Sequence, residues 1–398
     1  MAKATLRDIA IRGKRLFVRV DFNVPLSKAG EVTDDTRISA VLPTIAYARQ
    51  EGAGVILASH LGRPAGRVDP AFSLRPVAAR LQELLGQPVR LAPDCVGAET
   101  EALARALAPG EVLLLENLRF HAEEEANDPA FAQALARLGD VFVNDAFGAA
   151  HRAHASTAGM AAYLQPAVAG LLMEQEITYL SKVTEHPEQP LVAILGGAKV
   201  SDKIPLITNL LDKVSLLLIG GGMAYTLLQA QGCPVGDSLV EPDCLPLARD
   251  ILAKAADKRV QCLLPRDHVI AQDIKADAPT RLVADEGIPD GWKGLDIGLP
   301  TIARFREALR SARTVVWNGP MGVFELPPFR QGTVEVARAV AVCTGTTVVG
   351  GGDTIAALAM TDCSAAMTHI STGGGASLEF LEGKTLPGIA CLNERAGS

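Results

Sequence analysis

Short apolar runs alternate with longer Ala- and Leu-rich stretches from one end of the chain to the other. In the first half the runs are Arg15–Val20, Gly54–Ser59, Glu111–Glu116 and Asp140–Asn144. In the second half they are Leu191–Leu195, Val214–Ile219, Val260–Leu264, Thr314–Trp317, Thr346–Val349 and Thr368–Ser371. Short runs rich in Val, Ile and Leu read as strands buried on both faces. Between them Arg37–Glu51, Leu74–Leu85, Pro129–Leu138, Asp202–Leu211, Met223–Gln231, Leu245–Asp257, Thr301–Ala312 and Gly332–Cys343 have the length and spacing of helices. This alternation predicts an α/β protein with two doubly wound, Rossmann-like parallel-sheet domains joined by a helix and a hinge. The sheet domains fall at residues 1–168 and 191–383. The connector at 169–190 holds the amphipathic stretch Leu171–Val183 and ends on Pro187 and Pro190.

Composition narrows the classes. A chain of 398 residues, 48% hydrophobic and 21% charged, has ample material for a core and for roughly two to three domains. The net charge is −7 and neither half is basic, which argues against a nucleic-acid partner. The apolar runs are too short to cross a bilayer, so no membrane association is expected. Seven scattered cysteines without a Cys-x-x-Cys pair point to reduced thiols. The start, Met-Ala-Lys-Ala-Thr, lacks the apolar stretch of a secretion signal, and a cytoplasmic location is expected.

In open α/β sheets, ligands bind beyond the carboxyl ends of the strands. In the first half those ends carry Asp21-Phe22-Asn23, His60-Leu61-Gly62-Arg63, Asn117-Leu118-Arg119 and Asp145 through Arg152, while Arg37 opens the first helix. A single arginine is more often part of a surface ion pair. Four on one sheet edge, Arg37, Arg63, Arg119 and Arg152, read instead as a cradle for an acidic molecule. His60, His151 and His154 lie beside them as loop hydrogen-bonders or as added charge, and His60 is the one placed in contact with ligand.

The second half carries glycine and lysine at the same places. Gly196-Gly197-Ala198-Lys199 follows one strand, Gly220–Gly222 the next, then Asn318-Gly319-Pro320, Gly350–Thr354 and Gly373–Gly375. Glycine lets backbone N–H groups approach a ligand closely. Asp353 or Thr354 is expected to cap the helix that follows, where phosphate binds readily and a carboxylate suits Mg²⁺. The plain alternative is a tight turn with a capping aspartate. Lys199 and Lys203 would share a helix face if that helix starts near Val200. No Gly-x-x-x-x-Gly-Lys-Ser/Thr loop, Gly-x-Gly-x-x-Gly fingerprint or Gly-x-Ser-x-Gly elbow is present, and Asp267-His268 lacks the Cys and His company of a transition-metal site.

Taken together, Val18–Pro25, Ser59–Pro64, Glu116–Phe120, Asn144–Gly148 with His151–His154, Leu195–Lys203, Trp317–Glu325, Gly350–Thr354 and Ser371–Gly375 closely resemble phosphoglycerate kinase, in that family's order and over nearly the whole chain. The doubled Pro327-Pro328 and the polar tail Asn393–Ser398 depart from it. The resemblance implies a glycolytic enzyme moving phosphate between 1,3-bisphosphoglycerate and ADP to give 3-phosphoglycerate and ATP, with Mg²⁺, as a monomer. It implies that Asp21, Phe22, Asn23, Arg37, His60, Leu61, Gly62, Arg63, Arg119 and Arg152 bind the phosphoglycerate. It likewise assigns Lys203, Gly294, Glu325, Gly351, Gly352, Asp353 and Thr354 to the nucleotide, with Glu325 facing the ribose and Asp353 near the metal. Arg37, Lys199, Lys203 and Gly374 would act on the phosphoryl group in transit. Residues 384–398 would fold back onto the first domain. Two other classes share parts of this pattern: a hinged anion-binding protein, and a ligase passing through an acyl phosphate.

Overall fold

The computed structural model describes residues 2–395 apart from His186 and Asp285. The chain forms two compact units, Met1–Thr178 with Thr385–Ser398, and Tyr179–Lys384. In the first unit β1 (Arg15–Arg19), β2 (Gly54–Ala58), β3 (Arg90–Leu91), β4 (Val112–Leu114), β5 (Val141–Asn144) and β6 (Ala167–Ala169) build a parallel sheet in the order β3-β4-β2-β1-β5-β6. β1 lies at its centre, with Leu16, Phe17 and Val18 fully buried under helices on both faces.

The second unit adds β7 (Leu191–Leu195), β8 (Leu216–Ile219) and β9 (Gln261–Leu263), then β10 (His268–Ala271), β11 (Arg281–Val283) and β12 (Lys293–Ile297), then β13 (Thr314–Asn318), β14 (Thr346–Gly350) and β15 (His369–Ile370). Its main sheet is parallel in the order β15-β14-β13-β7-β8-β9. Every apolar run singled out in the sequence is a strand here. β10–β12 form a separate antiparallel sheet, which corrects the expectation of parallel sheets alone. These strands follow one another without an intervening helix, and β11 is largely exposed, so no apolar run marks them.

The helix expected over Asp202–Leu211 starts later. Ser201–Lys203 is a 3₁₀ turn and the α-helix is Ile204–Leu210, with Pro205 in its first turn. Lys199 and Lys203 therefore do not share an α-helical face. Nor does Asp353 or Thr354 cap its helix. That helix is Gly352–Ala359, its cap is Gly351 at φ 93°, and both residues lie in the first turn.

Register aligns the loops that matter. Arg19 of β1 pairs with Ala58 of β2 and Asn144 of β5. Asn318 of β13 pairs with Leu195 of β7 and Gly350 of β14. In each unit the loops singled out by chemistry thus leave one edge of one sheet.

Candidate functional site

In the first unit the site grows from the end of β1. Val20 still donates to Ala58 O, and Asp21 is the first residue free of the sheet. The helix Thr36–Gln50 is started by Asp34, whose Oδ1 accepts from Thr36 N at 2.9 Å and its hydroxyl at 2.6 Å. That start fixes Arg37 in the first turn, where Nη1 donates to Asp21 Oδ2 at 2.9 Å. Asn23 Oδ1 accepts from Gly62 N at 2.8 Å, joining the first and second loops. Phe22 and Leu61 turn their side chains into the core, so only their backbone belongs to this edge.

Asn117 is the joint of the next two loops. Its Oδ1 accepts from Leu61 N and Arg119 N, and its Nδ2 donates to Leu61 O and Phe72 O. Arg119 is thereby held with Nη1 on Gly62 O at 2.8 Å and Nε 3.2 Å from Glu125. Gly62, at φ 60°, leaves no room for a Cβ against the Phe72 ring. Arg152 is half-buried and donates Nε–H to His151 Nε2 at 3.2 Å, and Arg63 is exposed.

Beneath these lies Arg19, fully buried and not singled out in the sequence. It donates to Ser156 Oγ at 2.7 Å and to Val20 O, and Nη2 lies 3.2 Å from His60 Nδ1. Ser156 in turn donates to buried Glu124 at 2.5 Å. Burial lowers the Arg119 pKa; Glu125 opposes this, and Arg152 and Arg63 lower it further, so the three arginines share one electrostatic field. Burial, then Arg19, Arg119 and Arg37, hold His60 well below its ordinary range. Burial, then Arg19 and Arg119, bring His154 to about 4. Both imidazoles are neutral at pH 7 and add hydrogen-bonding capacity, not charge, to the anion site.

In the second unit, close backbone packing shapes the loops. Gly196 N donates to Asn318 O, Gly197 N to Pro320 O and Gly221 N to Met321 O. A Cβ at Gly196 or Gly319 would enter the neighbouring backbone. Fully buried Trp317 donates Nε1–H to Gly319 O at 2.8 Å, and Thr354 Oγ1 accepts from Gly319 N at 2.7 Å. Lys203 Nζ bonds to Asn318 Oδ1. Burial lowers the Lys203 pKa, while Asp202, Asp353 and Glu382 pull it back up. Lys199 is exposed. Gly374 at φ 52° precedes the helix Gly375–Leu381 and accepts the Ser377 hydroxyl at 2.8 Å.

A cleft of about 420 Å³ opens beside these loops. Gly197, Ala198, Gly294 and Gly322 give it a backbone floor; Leu239, Leu295, Val323 and Phe324 give it apolar walls; Glu325, Lys293, Asp237 and Asp353 supply its polar groups. Gly294 N donates to Ser238 Oγ at 2.9 Å, and Tyr225 packs against Gly294 so closely that no Cβ fits. An apolar slot with a glycine-lined, charged end suits a flat base carrying phosphates. Asp353, exposed in the first turn of its helix, offers the hard oxygen donor that Mg²⁺ prefers.

The phosphoglycerate kinase family model matches residues 6–384. The phosphoglycerate kinase of Moorella thermoacetica is 61% identical over 99% of this chain and 100% of its own, and that of Synechococcus elongatus is 56% identical over the full length of both. The chain belongs to the phosphoglycerate kinase family. Solved phosphoglycerate kinases agree in fold: that of Coxiella burnetii has a TM-score of 0.91 at 43% identity, and that of Pyrococcus horikoshii 0.82 at 34%, each covering 98% of both chains.

Against the residues expected of a phosphoglycerate kinase, the fold brings Asp21, Asn23, Arg37, His60, Gly62, Arg63, Arg119 and Arg152 to one edge of the first unit. It brings Gly294, Glu325 and Asp353 to the cleft of the second, with Lys203, Gly351, Gly352 and Thr354 on the loops alongside. The sequence places Asn117 and Asn318 at strand ends without giving them a role, and the other groups that aim these residues, Arg19, Ser156, Glu124 and Ser238, are not singled out in it. An arginine in the middle of the apolar run Leu16–Val20 was the available signal, since a buried guanidinium requires partners. Among the described residues, Asp94, Cys95 and His121 form the one group with transition-metal ligand chemistry. There the Asp94 carboxylate already accepts from Cys95 N at 2.6 Å and meets His121 Nε2 at 2.7 Å, a satisfied knot between two loops.

Proposed function

We propose that the chain transfers a phosphoryl group reversibly between 1,3-bisphosphoglycerate and ADP, giving 3-phosphoglycerate and ATP, as a monomer in the cytoplasm. The arginine cluster on the edge of the first sheet, in a chain of this family, carries the reading. Residues 1–168 with 384–398 act as the phosphoglycerate-binding domain, 191–383 as the nucleotide-binding domain and 169–190 as the connector. Asp21, Asn23, His60, Arg63, Arg119 and Arg152 hold the triose, together with backbone at Phe22, Leu61 and Gly62. The cleft bounded by Gly294 and Glu325 takes the nucleoside. Lys203, Gly351, Gly352, Asp353 and Thr354 take its phosphates.

In the direction that consumes ATP the acceptor is a carboxylate, ionised at neutral pH, so the reaction needs no general base. This agrees with an arginine-rich site whose buried histidines are neutral. Catalysis then consists of alignment and charge stabilisation. Arg37, Lys199 and Lys203 meet the equatorial oxygens of the phosphoryl group in flight, and the N–H groups at Gly374 add their dipoles. Asp353 and the nucleotide phosphates would hold Mg²⁺, which would supply further positive charge at the transfer site. The triose and nucleotide residues lie on separate units, so the reaction requires the units to close around both substrates and exclude water.

A coupled assay tests the reading. ATP is consumed only when 3-phosphoglycerate is present, and no inorganic phosphate appears. Phosphate release with an amine or thiol acceptor indicates a ligase, and anion binding without turnover indicates a binding protein.

A further inference from the structure

Two adjacent residues at the end of β5 hold the start of the helix by which the chain leaves the first unit and the segment by which it returns. Asn144 Nδ2 donates to Gly388 O at 2.8 Å and to Thr157 O at 3.2 Å, which pins the C-terminal segment after it returns at Thr385. Asp145 is fully buried and turns toward the start of the helix Leu171–Thr184. Its Oδ1 accepts from Met173 N at 3.0 Å, while Thr44 Oγ1, from the helix that carries Arg37, accepts from Leu171 N at 3.0 Å. Two of the N–H groups that this helix cannot pair internally, Leu171 and Met173, are thus bonded by side chains from two other elements. Gly170 completes the joint. Its N–H donates to Asn144 O at 2.9 Å, and any Cβ there would overlap the Asp145 carboxylate. The helix begins in the first unit and ends in the second, because the division falls at Thr178 and Tyr179.

The same two residues are also bonded to the end of β1 and to the start of the loop that carries Arg152. Asp145 N donates to Arg19 O at 2.8 Å, and Ala146 N to Asn144 Oδ1 at 3.1 Å. The segment that follows carries Arg152. A buried carboxyl is costly; Thr44 and the Met173 and Leu172 N–H groups offset part of that cost, although Asp145 Oδ2 meets no hydrogen-bond partner of ordinary geometry among the described residues. Burial pushes its pKa up to about 6. Capping alone does not require so dry a site, since an exposed Ser or Thr caps a helix as well.

We infer that Asn144 and Asp145 are positioning residues for phosphoryl transfer: they tie the Arg152 loop to the connecting helix and to the returning C-terminal segment, so that filling the anion site biases how the chain leaves the first unit. The inference rests on the closure proposed above. Its physical carrier is an unbroken set of bonds, from Arg152 back along the loop to Asp145, then through the carboxylate to Met173.

The test uses the full chain with Asp145→Ala, Gly170→Ala and Asp145→Asn. It reads kcat, the Kd of 3-phosphoglycerate and of ADP each alone, and small-angle scattering with and without both. In Asp145→Ala and Gly170→Ala, kcat is expected to fall about 10- to 100-fold, the cost of a small misplacement distant from the chemistry. Each single-substrate Kd should stay within about threefold, which separates positioning from loss of a binding contact. Asp145→Asn should restore most of kcat, because its amide oxygen can still accept from Met173 N–H. If Asp145→Ala does not fold, Gly170→Ala and Asp145→Asn decide the matter. Unchanged kcat in Gly170→Ala, or a Kd for 3-phosphoglycerate that worsens as much as kcat, overturns the inference. A wild-type chain that fails to compact with both substrates defeats the closure and this inference with it. Compaction in the wild type with undisturbed variant kcat defeats this inference alone.

Discussion

Arg37 reaches Asp21 with a single guanidinium nitrogen, Nη1 to Oδ2 at 2.9 Å, and its side chain stays 39% exposed. One carboxylate fixes the direction of the side chain and leaves the other N–H groups of the fork for an incoming anion. Arg37→Ala is therefore expected to lower kcat about 10²- to 10³-fold, the usual loss for one donor aimed at developing charge. ATP affinity should change little, since the cleft proposed for the nucleotide lies in the other unit. Steady-state kinetics with a separate ATP titration check this, and an unaltered kcat removes Arg37 from the chemistry. Arg37→Lys should rescue only weakly, because an ammonium cannot reproduce the planar fork.

Lys203 is oriented by a neutral partner, the Asn318 amide oxygen, and burial already works against its charge. A neutral acceptor keeps the full positive charge available to a phosphate. Asn318→Asp retains the shape but converts the contact to an ion pair. Its kcat should drop about 10²-fold, the cost of compromising one electrostatic contact, while the thermal midpoint holds or rises. Equal losses in both variants, Asn318→Asp and Asn318→Ala, would show that only geometry matters there.

Much of this was legible in the sequence, for a physical reason. Parallel strands are buried on both faces, so they stand out as apolar runs, and ligand groups must follow their carboxyl ends. Arg63, Arg119 and Asp353 stand out as candidates in that way, and Arg37 as the residue that opens the first helix. The supporting polar network was not, because Asn117 or Ser156 is chosen for a partner distant in sequence, which no local pattern reveals. The β10–β12 sheet escaped for the opposite reason: His268 and Asp296 are buried polar residues inside short strands, and they break the apolar signal. Four-residue spacing puts Lys199 and Lys203 on one face only if the helix starts near Val200; Pro205 sits at the start of the helix and a 3₁₀ turn precedes it.

Gly294 supports a prediction that separates the two substrates. It lines the cleft proposed for the nucleotide, its N–H donates to Ser238 Oγ, and its Cα faces the buried Tyr225 ring. Gly294→Ala must move that ring or the strand β12, an overpacking cost of about 1–3 kcal/mol. The KM for ATP should rise about tenfold as that distortion reaches the cleft floor, since 1.4 kcal/mol is tenfold in affinity. The KM for 3-phosphoglycerate should hold. A matched rise in both KM values would place the damage elsewhere.

His154 makes stability depend on pH with a definite sign. Burial and the neighbouring Arg19 and Arg119 bring its pKa from 6.5 when unfolded to about 4 when folded. Between those values the unfolded chain binds the proton and the folded chain does not, so stability falls as pH is lowered through that window. A shift of one unit corresponds to about 1.4 kcal/mol, which makes the contribution at most about 3.5 kcal/mol across the window. His60 adds to the same slope, held low by the same burial and charges. In His154→Gln, which cannot titrate, urea midpoints at pH 5 and pH 7 should lie closer together than in the wild type, with the gain at the acid end. If the variant keeps the full wild-type gap, the imidazole is not held neutral by its surroundings, and the positive field assigned to the arginine cluster is weaker than its geometry requires.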